Sequence, residues 1–110
     1  MEEYEIYNVD FGIGKGHEQS YPRPAIIIKG IENVGMYVVI PLTSNLSHLN
    51  LPHTMQINRT DSTNLKENSV ALLFQIRSID KSRITLSKIG RLGDCEVNKI
   101  KSNLKNLFSL

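Results

Sequence analysis

Arg23-Pro24-Ala25-Ile26-Ile27-Ile28-Lys29 and, after a turn at Gly30 to Gly35, Met36-Tyr37-Val38-Val39-Ile40-Pro41 form the apolar centre of this 110-residue chain. Ala25 to Ile28 is a continuous apolar run, as expected of a strand buried on both faces. Met36 to Pro41 reads as a second strongly apolar strand. Upstream, Ile6 to Phe11 alternates: Tyr7, Val9 and Phe11 lie on one face, Asn8 and Asp10 on the other. Downstream, Thr54 to Ile57 is a short strand, Ser69 to Ile76 a long apolar one, and Arg83 to Ile89 a last one with Ile84, Leu86 and Lys88 on one face. Between them lie a glycine-bearing loop from Gly12 to Pro22, a polar loop from Thr43 to Pro52 carrying Leu46, Leu49 and Leu51, and a loop or turn from Asp61 to Asn68.

The period changes in the tail. Val97, Ile100, Leu104 and Leu107 form one helical stripe, with Asp94 as its expected N-cap and Lys99, Lys101 and Lys105 on the solvated side. Five or six short strands and one terminal helix predict a mainly β fold, a small barrel covered by that helix, in a single domain spanning residues 1–110.

Hydrophobic content of 40% and charged content of 22% exclude a disordered tail. The formal net charge of +2 permits a polyanionic partner without demanding one. With four Tyr, three Phe and no Trp, an aromatic platform for a run of stacked bases is disfavoured. The lone Cys95 excludes an internal disulfide and fits a reducing compartment. The acidic start Met1-Glu2-Glu3-Tyr4-Glu5 is no signal peptide, and no apolar stretch approaches the roughly 18 residues of a membrane span. These readings predict a soluble cytoplasmic protein.

Five segments are candidates for chemistry. Gly12-Ile13-Gly14-Lys15-Gly16 lacks the Ser or Thr and the helix that a phosphate loop needs after its lysine, so it reads as a flexible hairpin loop. Arg23 stands between Pro22 and Pro24, with little backbone freedom. It is either a solvated cation at a rigid strand start or a pre-positioned guanidinium that grips a phosphate. Thr43 and Ser44 close an apolar strand, either as turn formers or as hydroxyls that bond a phosphate oxygen. His17, beside Glu18, has an ordinary pKa of about 6.5 and is either an exposed loop histidine or a proton carrier. Gln75 is a polar side chain on an apolar strand, and Arg77, Asp80 and Arg83 suit pairing or capping of the following turn. His17, His48 and His53 lack the paired spacing of a metal site.

Taken together the segments are more specific than any one alone. Gly16-His17-Glu18-Gln19, then Arg23-Pro24 before an apolar strand, resembles the first signature of the MazF/PemK family of toxins. Pro41-Leu42-Thr43-Ser44 is similar to its second, and Leu73 through Arg83 to its third. The resemblance implies an SH3-like β-barrel with a C-terminal helix. It also implies a homodimer, metal-free and cofactor-free cleavage of single-stranded RNA at short sequences, and a cognate antitoxin that blocks the RNA groove. Carried over by position, Arg23 and Thr43 match the principal catalytic pair. Glu18, Gln19, Ser44 and Gln75 match groove positions, and His17 matches the histidine of PemK-like members. This chain departs in two places. Ser20-Tyr21-Pro22 replaces a stretch commonly of small residues, and Leu72 and Phe74 stand where PemK-like members carry a basic and an acidic side chain. An acid–base pair cannot operate there, which shifts the burden to Arg23, Thr43 and His17. Two other functions fit a small barrel: a non-catalytic binding module, and a CcdB-like poison of DNA gyrase acting through its C-terminal residues.

Overall fold

A computed structural model describes residues 1–12, 14–16 and 22–110, apart from the side chain of Leu86. Among these residues seven strands form one antiparallel sheet: β1 (Glu5–Asp10), β2 (Pro22–Ile31), β3 (Met36–Thr43), β4 (Thr54–Ile57), β5 (Ser69–Leu72), β6 (Arg77–Asp80) and β7 (Ile84–Arg91). They run in the order β4-β5-β3-β2-β1-β7, with β6 beside β3. One helix, α1 (Asp94–Phe108), follows.

The apolar centre behaves as its composition predicts. Ala25, Ile26 and Ile27 of β2 are wholly buried, because successive side chains feed opposite faces and both faces are covered. Ile6, Ile26 and Ile40 belong to a core on the helix side, against which Val97, Leu104 and Leu107 pack and into which Ile100 is sunk. Tyr7, Val9, Ala25, Ile27 and Val39 form the second core on the other face.

Two strand assignments differ from the sequence expectation. The apolar run from Ser69 to Ile76 is not one strand. β5 pairs with the end of β3, Leu42 opposite Ala71. Continued, that register would set Val39 against Phe74, but Val39 pairs with Arg77 in β6, three residues on. The three extra residues are the 3-10 turn Leu73–Gln75. Apolar periodicity could not reveal this break, because Leu72 and Leu73 are both fully buried, one in the strand and one in the turn. Likewise Arg77 to Asp80, read from sequence as a turn, is β6; the turn is the 3-10 segment Lys81–Arg83 that follows.

The helix starts one residue earlier than an Asp94 cap would set it. Gly93 is the N-cap, its N–H donating to Glu96 Oε1 at 3.2 Å. The start is fixed by Leu92, buried and hydrogen-bonded through its N–H to the Tyr4 carbonyl. Asp94 then sits in the first turn, where its charge favours the helix dipole. The loop predicted around Leu46 contains a 3-10 turn, Leu46–Asn50, capped by Asn45 Oδ1, which accepts from Ser47 N–H. No helix among the described residues is long and apolar enough to cross a membrane.

The sheet's two outer strands, β4 and β7, are bridged by the chain between β4 and β5. Asn64 Nδ2 donates to the Ile89 carbonyl at 3.0 Å, and Arg91 N–H to the Ser62 carbonyl at 2.9 Å. Gly90 permits that approach: a Cβ there would lie 2.2 Å from the Thr63 carbonyl oxygen. The sheet is thus curled into a barrel whose last side is a loop, not a ladder.

Candidate active site

Arg23 enters the site because β1 holds the start of β2. Asp10 pairs with Pro22, Val9 with Arg23 and Asn8 with Pro24. The two prolines fix the backbone on either side of Arg23. The guanidinium is half-buried, and burial lowers its pKa below the ordinary arginine value. An arginine so shifted remains a cation at any working pH, but one held partly out of water, where its field is less screened.

Thr43 comes from the adjoining strand. Ala25 pairs with Pro41, and the same register continued by two residues would set Arg23 against Thr43. Thr43 Oγ1 accepts from Asn45 N–H at 3.2 Å, which orients the hydroxyl and leaves its proton to donate. Ser44 follows, exposed.

Arg23, Thr43 and Ser44 line one cleft of about 850 Å³. Its far walls come from the β4–β5 loop, through Asn64, Lys66 and Glu67, and from β7, through Thr85, Ser87 and Lys88. Three cations and one acid therefore face the cavity, with hydroxyls and amides between them. Such a lining attracts an anion and can hydrogen-bond its oxygens.

Lys88 is braced from behind. Its Nζ lies 3.1 Å from Glu5 Oε2, and the other Glu5 oxygen accepts from Glu2 N–H at 2.7 Å and from the Tyr7 hydroxyl at 3.3 Å. Burial alone would raise the Glu5 pKa. The Glu2 and Lys88 hydrogen bonds, the Lys88 charge and the Tyr7 hydroxyl outweigh it, so the carboxyl titrates below its ordinary value.

The other sequence candidates lie elsewhere. Gln75 ends the 3-10 turn Leu73–Gln75, half-buried, and does not line this cleft. His17, Glu18 and Gln19 lie outside the described residues, as do Ser20 and Tyr21. Leu72 is wholly buried and Phe74 exposed on the turn. Arg77, Asp80 and Arg83 have structural partners. Arg77 lies 5.6 Å from the Phe11 ring centroid, Asp80 Oδ2 accepts from Ser82 N–H at 2.8 Å, and Arg83 Nη1 donates to the Asp10 carbonyl at 3.2 Å. Sequence patterns do not mark Asn64, Lys66 or Lys88 as site residues. For Lys88 a signal exists, a cation on the face shared with Ile84 and Leu86. For Asn64 and Lys66 there is none, since their loop reaches the cleft only through its tertiary bonds to β7.

Comparison with known proteins agrees over the whole chain. A family model described as the PemK-like, MazF-like toxin of type II toxin–antitoxin systems matches residues 2–108. The chain is 30% identical to the endoribonuclease MazF9 of Mycobacterium tuberculosis, covering 96% of this chain and 93% of that protein. It is 31% identical to the endoribonuclease EndoA of Bacillus subtilis, covering 96% and 92%. Among solved structures, a MazF crystal structure from Deinococcus radiodurans superposes with a TM-score of 0.81 at 19% identity, covering 100% of this chain and 97% of that one. A mycobacterial endoribonuclease in complex with its cognate antitoxin superposes with a TM-score of 0.74 at 17% identity, covering 98% and 94%.

Proposed function

The chain belongs to the MazF/PemK family of type II toxin–antitoxin toxins, and from that premise we propose that it is a single-domain cytoplasmic endoribonuclease. It cuts single-stranded RNA at short sequences, without a metal or other cofactor, and is restrained by a cognate antitoxin. It works as a homodimer. The observation that carries the assignment is that Arg23 and Thr43, twenty residues apart in sequence, line the same cleft.

In the reaction the neighbouring 2′-hydroxyl attacks the scissile phosphorus. Its proton leaves to a base, the bond to O5′ breaks, and O5′ takes up a proton. A 2′,3′-cyclic phosphate and a 5′-hydroxyl result. Dependence on the 2′-hydroxyl separates RNA from DNA. Negative charge builds on the non-bridging oxygens as the phosphorane forms, and a preorganised donor at that point contributes about 3 kcal/mol. Arg23 is that donor. Its high pKa makes it a clamp and not a base. The Thr43 and Ser44 hydroxyls orient the phosphate. His17 carries the proton, a role worth roughly 10²- to 10⁴-fold within hydrogen-bond reach. Glu18 and Gln19 shape the groove for the flanking bases, and Gln75, on the 3-10 turn outside the cleft, meets the RNA farther along the strand.

Incubation of the purified protein with a long RNA in EDTA, followed by mapping of the ends, tests the assignment. Fragments with 5′-hydroxyl ends at a recurring short sequence are expected. Intact RNA would leave a binding module or a gyrase poison in its place.

A further inference from the structure

A second, smaller cavity of about 490 Å³ adjoins the cleft. Asn64, Leu65 and Lys66 line both, so the β4–β5 loop forms a ridge between them. Beyond the ridge the cavity is lined by Arg59, Thr60 and Asp61. Lys66 is exposed on the ridge and its ammonium has no ion-pair partner among the described residues. Arg59 is exposed too; its Nη1 donates to the Lys66 main-chain carbonyl at 3.4 Å, which holds the guanidinium beside the Lys66 backbone, and both residues line the cavity.

The ridge is rigid. Thr63, wholly buried, receives Thr60 N–H on Oγ1 at 2.9 Å and donates the same hydroxyl to the Asn58 carbonyl at 2.9 Å. Arg59 N–H donates to Asn68 Oδ1 at 2.8 Å, closing the base of the loop. With the bonds to β7, the shelf is formed before any ligand arrives, so little ordering cost accompanies binding. A ligand continuous through both cavities would meet Arg23, Lys66, Arg59 and the Glu5-paired Lys88 against Glu67 and Asp61. Cations spaced along a track from one cavity over a ridge to the next match a polyanionic chain, not a single anion.

We propose that Lys66 and Arg59 form a backbone-phosphate subsite for RNA beside the cleft, which takes a phosphate flanking the scissile one and sets where the strand lies. The inference rests on the nuclease reading and adds binding residues to it; neither side chain takes part in the chemical step.

The test uses a single-stranded RNA that carries the mapped cut site with 2′-deoxyribose on the 5′ side of the cut, so that it binds without being cleaved. Affinity is measured against salt concentration, and kcat and KM on the unmodified RNA. Each phosphate that the protein no longer neutralises lowers the salt slope by about 0.7 on a single strand. Lys66→Gln and Arg59→Gln are each expected to lower it by that amount. KM should rise about tenfold at low salt, the effect of removing a hydrogen bond to a charged group, with kcat unchanged. Arg59→Lys keeps the charge and retains the wild-type slope, which separates charge from loop integrity. Lys105→Gln on the outer side of α1 is the control and leaves the slope alone. Slopes for Lys66→Gln and Arg59→Gln equal to the control overturn the subsite, as does an effect confined to kcat. Tight, Lys66-dependent binding of an unmodified single-stranded RNA that stays intact, measured directly when no cut site can be mapped, supports the subsite and overturns the nuclease reading instead.

Discussion

Among single residues, Arg23 matters most to the proposed chemistry. Its neighbours Pro22 and Pro24 are both in the ladder with β1, so the guanidinium is delivered by backbone geometry and not by a flexible loop. Replacing it by alanine removes a preorganised cation without opening the core, since Arg23 is only half-buried. Arg23→Ala is expected to lower kcat by about 10²- to 10³-fold while leaving the thermal transition close to wild type, read by cleavage rate and circular dichroism. His17→Ala is expected to lose about 10²-fold or more and to abolish any inflection of the rate at about pH 6.5. An unchanged pH–rate profile in that variant removes His17 from the scheme.

Glu5 bears on pH dependence. Its carboxyl is held below the ordinary value by the Glu2, Lys88 and Tyr7 partners against the opposing effect of burial. A lowered native pKa means that the charged form favours folding. The contribution is therefore present above the ordinary value of 4.5 and disappears as pH falls below it through the native pKa. Denaturant midpoints measured from pH 7 to pH 3 should decline along this limb. In Glu5→Gln the decline should be shallower; an identical acid limb in both proteins would rule Glu5 out as its source.

At the scale of elements, the loop between β4 and β5 takes the place that a further ladder would occupy in a fully paired barrel. Its seat on β7 depends on the absence of a side chain at Gly90, where a Cβ would meet backbone oxygens of Ser62 and Thr63 at 2.5 and 2.2 Å. Backbone cannot step aside as a flexible side chain can. Gly90→Ala is expected to cost at least about 1–3 kcal/mol, the range for overpacking, and to increase amide exchange at Arg91, whose N–H bonds the Ser62 carbonyl. Cleavage should fall with it, because the same loop forms one wall of the cleft.

The break after β5 acts at the same scale. Three residues inserted between two partners of β3 place Gln75 on a 3-10 turn and bring β6 into the ladder. The stripe of α1 is readable because the helix faces one core, and the alternation in β1 because Asn8 and Asp10 are exposed between the buried Tyr7, Val9 and Phe11, although Ile6 enters the other core. The stretch from Ser69 to Leu73 is not, because every residue there is buried, in the strand and in the turn alike.

For the whole molecule, two cores share the sheet between them, and α1 covers the first. Ile100 is the helix's one fully buried side chain, packed among residues from β1 to β5. Ile100→Ala is expected to destabilise the protein by about 2–5 kcal/mol through reduced burial and a residual cavity. Chemical denaturation measures this. A cost under about 1 kcal/mol would mean that the helix is not integral to the first core.

The run of apolar strands, the helical stripe and the prolines around Arg23 are all legible in the chain, because each is a local pattern: alternation, period and steric restriction act over a few residues. Those patterns dictate a mainly β fold with a terminal helix, and Arg23 and Thr43 as candidates. Which cations share a cavity with that pair, where the apolar run breaks, and how the barrel's last side is closed depend on contacts between residues far apart in sequence. Lys66 reaches the cleft only because Gly90 lets a loop lie down on β7, and no spacing along the chain encodes that approach.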